Sequence, residues 1–216
     1  MSSLLKIDCA DKTNHHADKL NPGLMPAFPS NIIAAGRKNS GKGSTIKQLL
    51  MSAVPAFDSI TVVHYDPEGT DEWRDVEPAH MFSIEDLPEQ PGEFLDRSNK
   101  NALVLDELAF EGMTRKQRGK VDRILNYYGS HYACSCYCIQ QNLVSIPPSI
   151  RRAADWTIIW PGVDKESMRY IGRITGHDVS KLAKLCKTKY DSLTFDHSGD
   201  GPAVRLNLFR EIVTKT

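Results

Sequence analysis

Residues 31–45 read NIIAAGRKNSGKGST. Gly36, Gly41 and Lys42 match G-x-x-x-x-G-K, the spacing of a loop that wraps its backbone N–H groups around phosphate. Glycines let the chain curl with its amides turned inward, and the partial positive charge of a helix N-terminus adds to the attraction for anions. Both flanks suit that reading. Asn31–Ala35 is a short apolar run, as a buried strand requires. From Lys42 onward Ile46, Leu49, Leu50, Ala53 and Val54 recur at helical spacing until Pro55. The candidate phosphate cradle is Gly36, Lys38, Asn39, Ser40, Gly41, Lys42, Gly43, Ser44 and Thr45, with Lys42 reaching the β- and γ-phosphates of a nucleoside triphosphate. Gly43 stands where a Ser or Thr is usual, so the hydroxyl beside Mg2+ is expected from Ser44, directly or through a water.

The chain has 216 residues with 27 Lys+Arg, 27 Asp+Glu and 40% hydrophobic residues. That is one large domain or two small ones, with ample material for a core. A balanced charge gives no global support for nucleic-acid binding, so any such surface has to be local. No apolar run approaches membrane-spanning length, and MSSLLKIDCADK lacks a signal-peptide core. The five cysteines form no C-x-x-C pair, which suits a reducing interior.

Residues 1–30 hold Pro22, Pro26 and Pro29 and little periodicity, and they read as an N-terminal arm preceding a domain over 31–216. His15 and His16 in that arm have no spaced metal-binding partner. Ser59–Tyr65, Ala102–Asp106, Ala133–Gln140 and a run ending at Trp160 read as further strands. A polar segment over 66–100 reads as short helices and loops. Val121, Ile124, Leu125 and Tyr128 mark one helix face. Strands alternating with helices predict an α/β fold with a mostly parallel central sheet flanked by helices. Residues 164–189 read as helical, and SLTFD and AVRLNLF as a closing strand pair.

ALVLDE (Ala102–Glu107) ends a buried strand in two acids. Asp106 fits a carboxylate on the Mg2+ side of a triphosphate, and Glu107 a general base that polarises water. Cys134, Cys136 and Cys138 share one strand face. Their spacing of about 7 Å is too wide for three ligands on one ion, so they read as small core residues. Gln140 and Gln141 close that strand where α/β sheets bind ligands, and either could position a γ-phosphate or water.

The stretch HYACSCYCIQQNLVSIPPSIRRAADWTIIW, with the loop and ALVLDE, resembles the genome-packaging ATPases of double-stranded DNA viruses with internal membranes, in the HerA/FtsK group of P-loop motors. The resemblance covers roughly 31–162. It implies a RecA/FtsK-like P-loop NTPase fold and an ATP-hydrolysing, Mg2+-dependent motor that drives double-stranded DNA into a capsid. It also implies a ring of five or six copies, capsid-vertex partners, and a place in the virion or host-cell interior. It picks Gln141, six residues before Pro147, as the strand-end glutamine. It makes Arg151, with Arg152 second, the arginine that reaches the γ-phosphate of a neighbouring subunit. Ser130 stands where that group often has arginine, so no basic role is carried to the turn.

DNA contact is expected from TRKQRGKVDR (Thr114–Arg123), through Arg115, Lys116, Arg118 and Lys120. KLAKLCKTK (Lys181–Lys189) is the second basic run. A competing function is an adenylate-kinase-like phosphotransferase, since G-K-G-S/T also resembles such loops.

Overall fold

The structure, a computed structural model, describes residues 26–198, 203–208 and 210–212. One nine-stranded sheet organises them in the order β3-β2-β4-β5-β1-β6-β7-β8-β9. The strands are β1 (Asn31–Ala35), β2 (Ser59–His64), β3 (His80–Phe82), β4 (Asn101–Asp106), β5 (Cys134–Gln140), β6 (Trp156–Ile159), β7 (Leu193–Asp196), β8 (Ala203–Leu206) and β9 (Arg210–Ile212). The block from β3 to β6 is parallel. β7, β8 and β9 close the sheet antiparallel. The helices are α1 (Lys42–Met51), α2 (Arg115–Arg123), α3 (Gly129–His131), α4 (Pro148–Arg152), α5 (Lys165–Thr175) and α6 (Val179–Leu182).

Strand alternation splits the core into two faces. Ile33, Leu103, Leu105, Cys134, Cys136 and Cys138 pack with Val121, Ile124 and Ile171 on one. Ile32, Ala34, Val104 and Tyr137 pack with Ile46, Leu49 and Trp73 on the other. The three cysteines are buried core groups, as their shared face implies.

Several boundaries differ from those expected. The polar segment 66–100 contains β3, a three-residue edge strand too short to show a period. The helical reading over 164–189 becomes α5, which stops at Gly176 in the left-handed region (φ 74°), then the short α6. The closing pair gains a third strand, β9. The helix carrying Val121 and Tyr128 runs through a π-helical stretch, Ile124–Tyr128, which the 3.6-residue period does not anticipate. Of the expected arm, residues 26–30 pack onto the domain. Phe28 and Ser30 are buried, Ser30 N–H donates to Ser135 Oγ at 3.1 Å, and Ser30 O accepts from Cys136 N–H. His15, His16 and the rest of that arm lie outside the described residues.

The register aligns the functional ends. Ala35 is opposite Gln140 and Ile159, and Asp106 is opposite His64 and Ile139. The carboxyl ends of β1, β2, β4, β5 and β6 therefore share one edge, where open α/β sheets bind ligands.

Candidate active site

A cleft of about 610 Å3 opens at that edge, lined by Lys38–Ser44, His64–Asp66, Gly69–Glu72, Asp106, Glu107 and Ile139. β1 enters it, and Gly36 N–H donates to Gln140 O at 3.1 Å, fixing the loop onto β5. Gly41 takes φ 97°, a left-handed turn favouring glycine, and α1 starts at Lys42. The first-turn amides of α1 thus face the cleft.

Lys42 is buried. Its Nζ donates to Arg37 O at 3.1 Å and pairs with Glu107 Oε1 at 3.3 Å. Glu107 Oε2 accepts from Gln141 Nε2 at 2.9 Å. A continuous polar chain therefore runs Lys42–Glu107–Gln141, joining the start of α1 to the residues that follow β4 and β5. Glu107 holds φ 47° while its N–H donates to Ile139 O. That backbone is rare for a residue with a Cβ, and such strain concentrates at functional sites. The two glutamines separate cleanly. Gln140 is buried and donates to Leu108 O at 3.1 Å, a structural role, whereas Gln141 is exposed and touches Glu107, which lines the cleft.

Asp106 ends β4, 4% exposed. Trp73 Nε1–H donates to its Oδ2 at 2.8 Å, and His64 Nε2 lies 3.9 Å away. Burial pushes its carboxyl up to about 6, and the nearby Glu72 and Glu107 charges add to the shift against the Trp73 bond. A crowded carboxylate short of positive partners suits an oxygen-ligated divalent cation. Among the described residues no three or more His, Cys, Asp or Glu side chains converge on a metal.

The missing hydroxyl at Gly43 has a structural counterpart. A Cβ there would run into Glu72 Oε1. Ser44 lines the same cleft, while Thr45 sits on the first turn of α1 without lining it. His64, Trp73 and Glu72 were not identified from sequence. His64 ends a β-rich run as Asp106 does, so parallel pairing of those strands was a usable signal. Trp73 and Glu72 lie in an irregular stretch that offered none.

Arg151 and Arg152 sit at the other edge. Asn31, the first residue of β1, accepts at its O from Asp155 N–H, and its Nδ2 donates to Ala153 O at 3.1 Å. A five-residue strand, roughly 15 Å long, separates them from the glycine-rich loop of the same chain. Arg151 stacks over Tyr170, its guanidinium 4.4 Å from the ring centroid. Arg152 is exposed without a polar partner among the described residues.

The basic run on α2 is only partly free. Lys120 is buried and donates to Leu87 O at 2.6 Å, Glu85 O at 3.1 Å and Ile84 O at 3.4 Å. Its expected contact with DNA is therefore withdrawn: the ammonium holds the 84–87 turn. Lys116 pairs with Glu89 at 3.0 Å, and Arg118 reaches Glu111 O at 3.4 Å. Arg115 is exposed without a polar partner among the described residues.

No family model matches the chain, and no curated protein matches it by sequence. Among solved structures it is similar to the DNA-packaging ATPase B204 from Sulfolobus Turreted Icosahedral Virus, at 16% identity and TM-score 0.60 over 82% of this chain and 97% of that one. It is similar to the genome packaging NTPase B204 from Sulfolobus turreted icosahedral virus 2 in complex with ATP-gammaS, at 17% identity and TM-score 0.58 over 81% and 95%. EssC (ATPases 2 and 3) from Geobacillus thermodenitrificans gives 16% and 0.59 over 82% of this chain and 39% of that one. At such identities the likeness establishes architecture alone: the chain shares the α/β fold of these structures, a mostly parallel sheet flanked by helices.

Proposed function

We propose that the protein is an ATP-hydrolysing motor that moves double-stranded DNA into a viral capsid, working as a ring of five or six copies at a capsid vertex inside the virion or host cell. The chain Lys42–Glu107–Gln141 on one cleft carries this reading. The loop from Gly36 to Thr45 binds the triphosphate, and Lys42 offsets charge on its β- and γ-phosphates. Glu107 takes the proton from the water attacking the γ-phosphorus, and Gln141 holds that water and Glu107 in line. Asp106, with Ser44 and Glu72 lining the same cleft, would hold Mg2+, which would supply positive charge to offset that of the triphosphate. Arg152, freer than Arg151, is the better candidate to reach a neighbour's γ-phosphate. Arg115, Lys116 and Arg118 are the proposed DNA contacts, backed by the run from Lys181 to Lys189.

Phosphate release with and without duplex DNA tests the reading. Turnover should rise with DNA and fall to background in Lys42→Ala. Stoichiometric ADP formed from ATP and AMP, with no response to DNA, would mark a phosphotransferase instead and sink the motor.

A further inference from the structure

The polar chain fixes only one end of a bound nucleotide. Glu107 and Gln141 directly follow β4 and β5, on one flank of β1. A triphosphate whose γ end meets them leaves the loop on the other flank, over the ends of β6 and β7. Tyr190 stands there, just before β7, with 62% of its surface exposed. A Cβ on Gly41 would lie 3.7 Å from Tyr190 Cδ1 and 3.9 Å from Trp160 Nε1. The ring is therefore at the lip of the phosphate loop. Trp160 is 1% exposed, and its indole N–H has no hydrogen-bond partner among the described residues. A buried donor without an acceptor beside Gly41 is a second sign that this flank takes a polar ligand.

The segment presenting Tyr190 is held rigidly. Asp191 Oδ2 accepts from Lys187 N–H and Thr188 N–H, both at 2.7 Å. Asn207 Nδ2 donates to Asp191 Oδ1 at 2.9 Å, and Asn207 Oδ1 accepts from Ser192 N–H at 2.8 Å. Tyr190 N–H donates to Thr188 Oγ1 at 3.2 Å. Lys189 Nζ lies 4.8 Å from the Tyr190 ring centroid, leaving a cation over an aromatic surface already near the phosphates. A large exposed aromatic on a pinned loop loses little freedom when it stacks, so it suits a flat ligand.

We infer that Tyr190 is the stacking platform for the nucleotide base, completing a site whose phosphate half is the loop from Gly36 to Thr45. This rests on the proposed nucleotide binding at that loop. Stacking accepts any purine face, so Tyr190 distinguishes a nucleotide from a bare polyphosphate rather than adenine from guanine.

The test compares the affinity of the full chain for ATP and for inorganic tripolyphosphate, by calorimetry with Mg2+, in wild type, Tyr190→Ala, Tyr190→Leu and Tyr190→Trp. Tyr190→Ala and Tyr190→Leu should weaken ATP roughly tenfold or more and leave tripolyphosphate unchanged, whereas Tyr190→Trp should keep ATP binding. Unchanged ATP affinity in Tyr190→Ala overturns the inference. Equal losses for both ligands overturn it too, because Tyr190 would then act through the phosphate loop. If wild type binds neither ligand, the nucleotide reading itself fails, which is a distinct result.

Discussion

Glu107 carries the heaviest functional assignment, and its geometry gives a sharp expectation. It touches Lys42 and Gln141 at once while its backbone sits at φ 47°. Glu107→Gln keeps shape and hydrogen-bonding reach but removes the base. Phosphate release should therefore fall by roughly a hundredfold or more, with nucleotide affinity retained in a binding titration. Gln141→Ala should lower kcat with KM nearly unchanged, since its contact is to the base rather than to the loop. Asp106 gives a stability prediction. Its folded carboxyl titrates near 6 rather than 3.8, because burial and the Glu72 and Glu107 charges oppose ionisation. The folded state thus holds the proton more tightly. Its stabilising effect is full below about pH 4 and lost as pH rises through about 6. Denaturant melts without divalent cation should show that loss, and Asp106→Asn should flatten it. At pH 7 that variant should gain on the order of 2–3 kcal/mol relative to wild type. The acids and the lysine were legible because each ends or follows a buried run. Glu72 was not, because its role depends on lying over Gly43 in space, twenty-nine positions back along the chain.

At the scale of elements, α2 shows why a basic run is not by itself a DNA surface. Thr114 caps it, its Oγ1 accepting from Gln117 N–H, and the helix then turns Lys120 inward onto the 84–87 turn. Lys120→Met would leave three carbonyls without that donor and cost about 2 kcal/mol in a denaturant melt. Three neutral substitutions together, at Arg115, Lys116 and Arg118, should leave stability close to wild type. They should also reduce the slope of log affinity against log salt for duplex DNA. An unchanged slope would remove α2 from the DNA-contact assignment. The helix itself was readable from the spacing of Val121, Ile124 and Leu125, whereas β3 was not: three residues at a sheet edge carry no measurable alternation.

Across the whole molecule, the sheet places the two groups of candidate residues at opposite edges. The glycine-rich loop and the acids gather at the carboxyl ends of the strands, while Arg151 and Arg152 lie by the start of β1. An arginine there can reach a γ-phosphate only by packing one copy against the next. Mixing Arg152→Glu chains with wild type should lower ATP turnover by more than dilution explains. Loss in simple proportion to the mutant fraction would remove the trans role.

Local chemistry in the sequence was enough to specify a glycine-rich loop between a strand and a helix, two acids at the end of a buried strand, the parallel core and the buried cysteine face. Each depends on periodicity or on residues adjacent in the chain. Which glutamine meets Glu107, which basic residue of α2 is buried, and which carboxylate fills the space above Gly43 came only from the tertiary structure. The physical reason is that these depend on strand register and on which side chain shields which backbone carbonyl. Those relations bring residues tens of positions apart within hydrogen-bond reach, and no spacing rule along the chain records them.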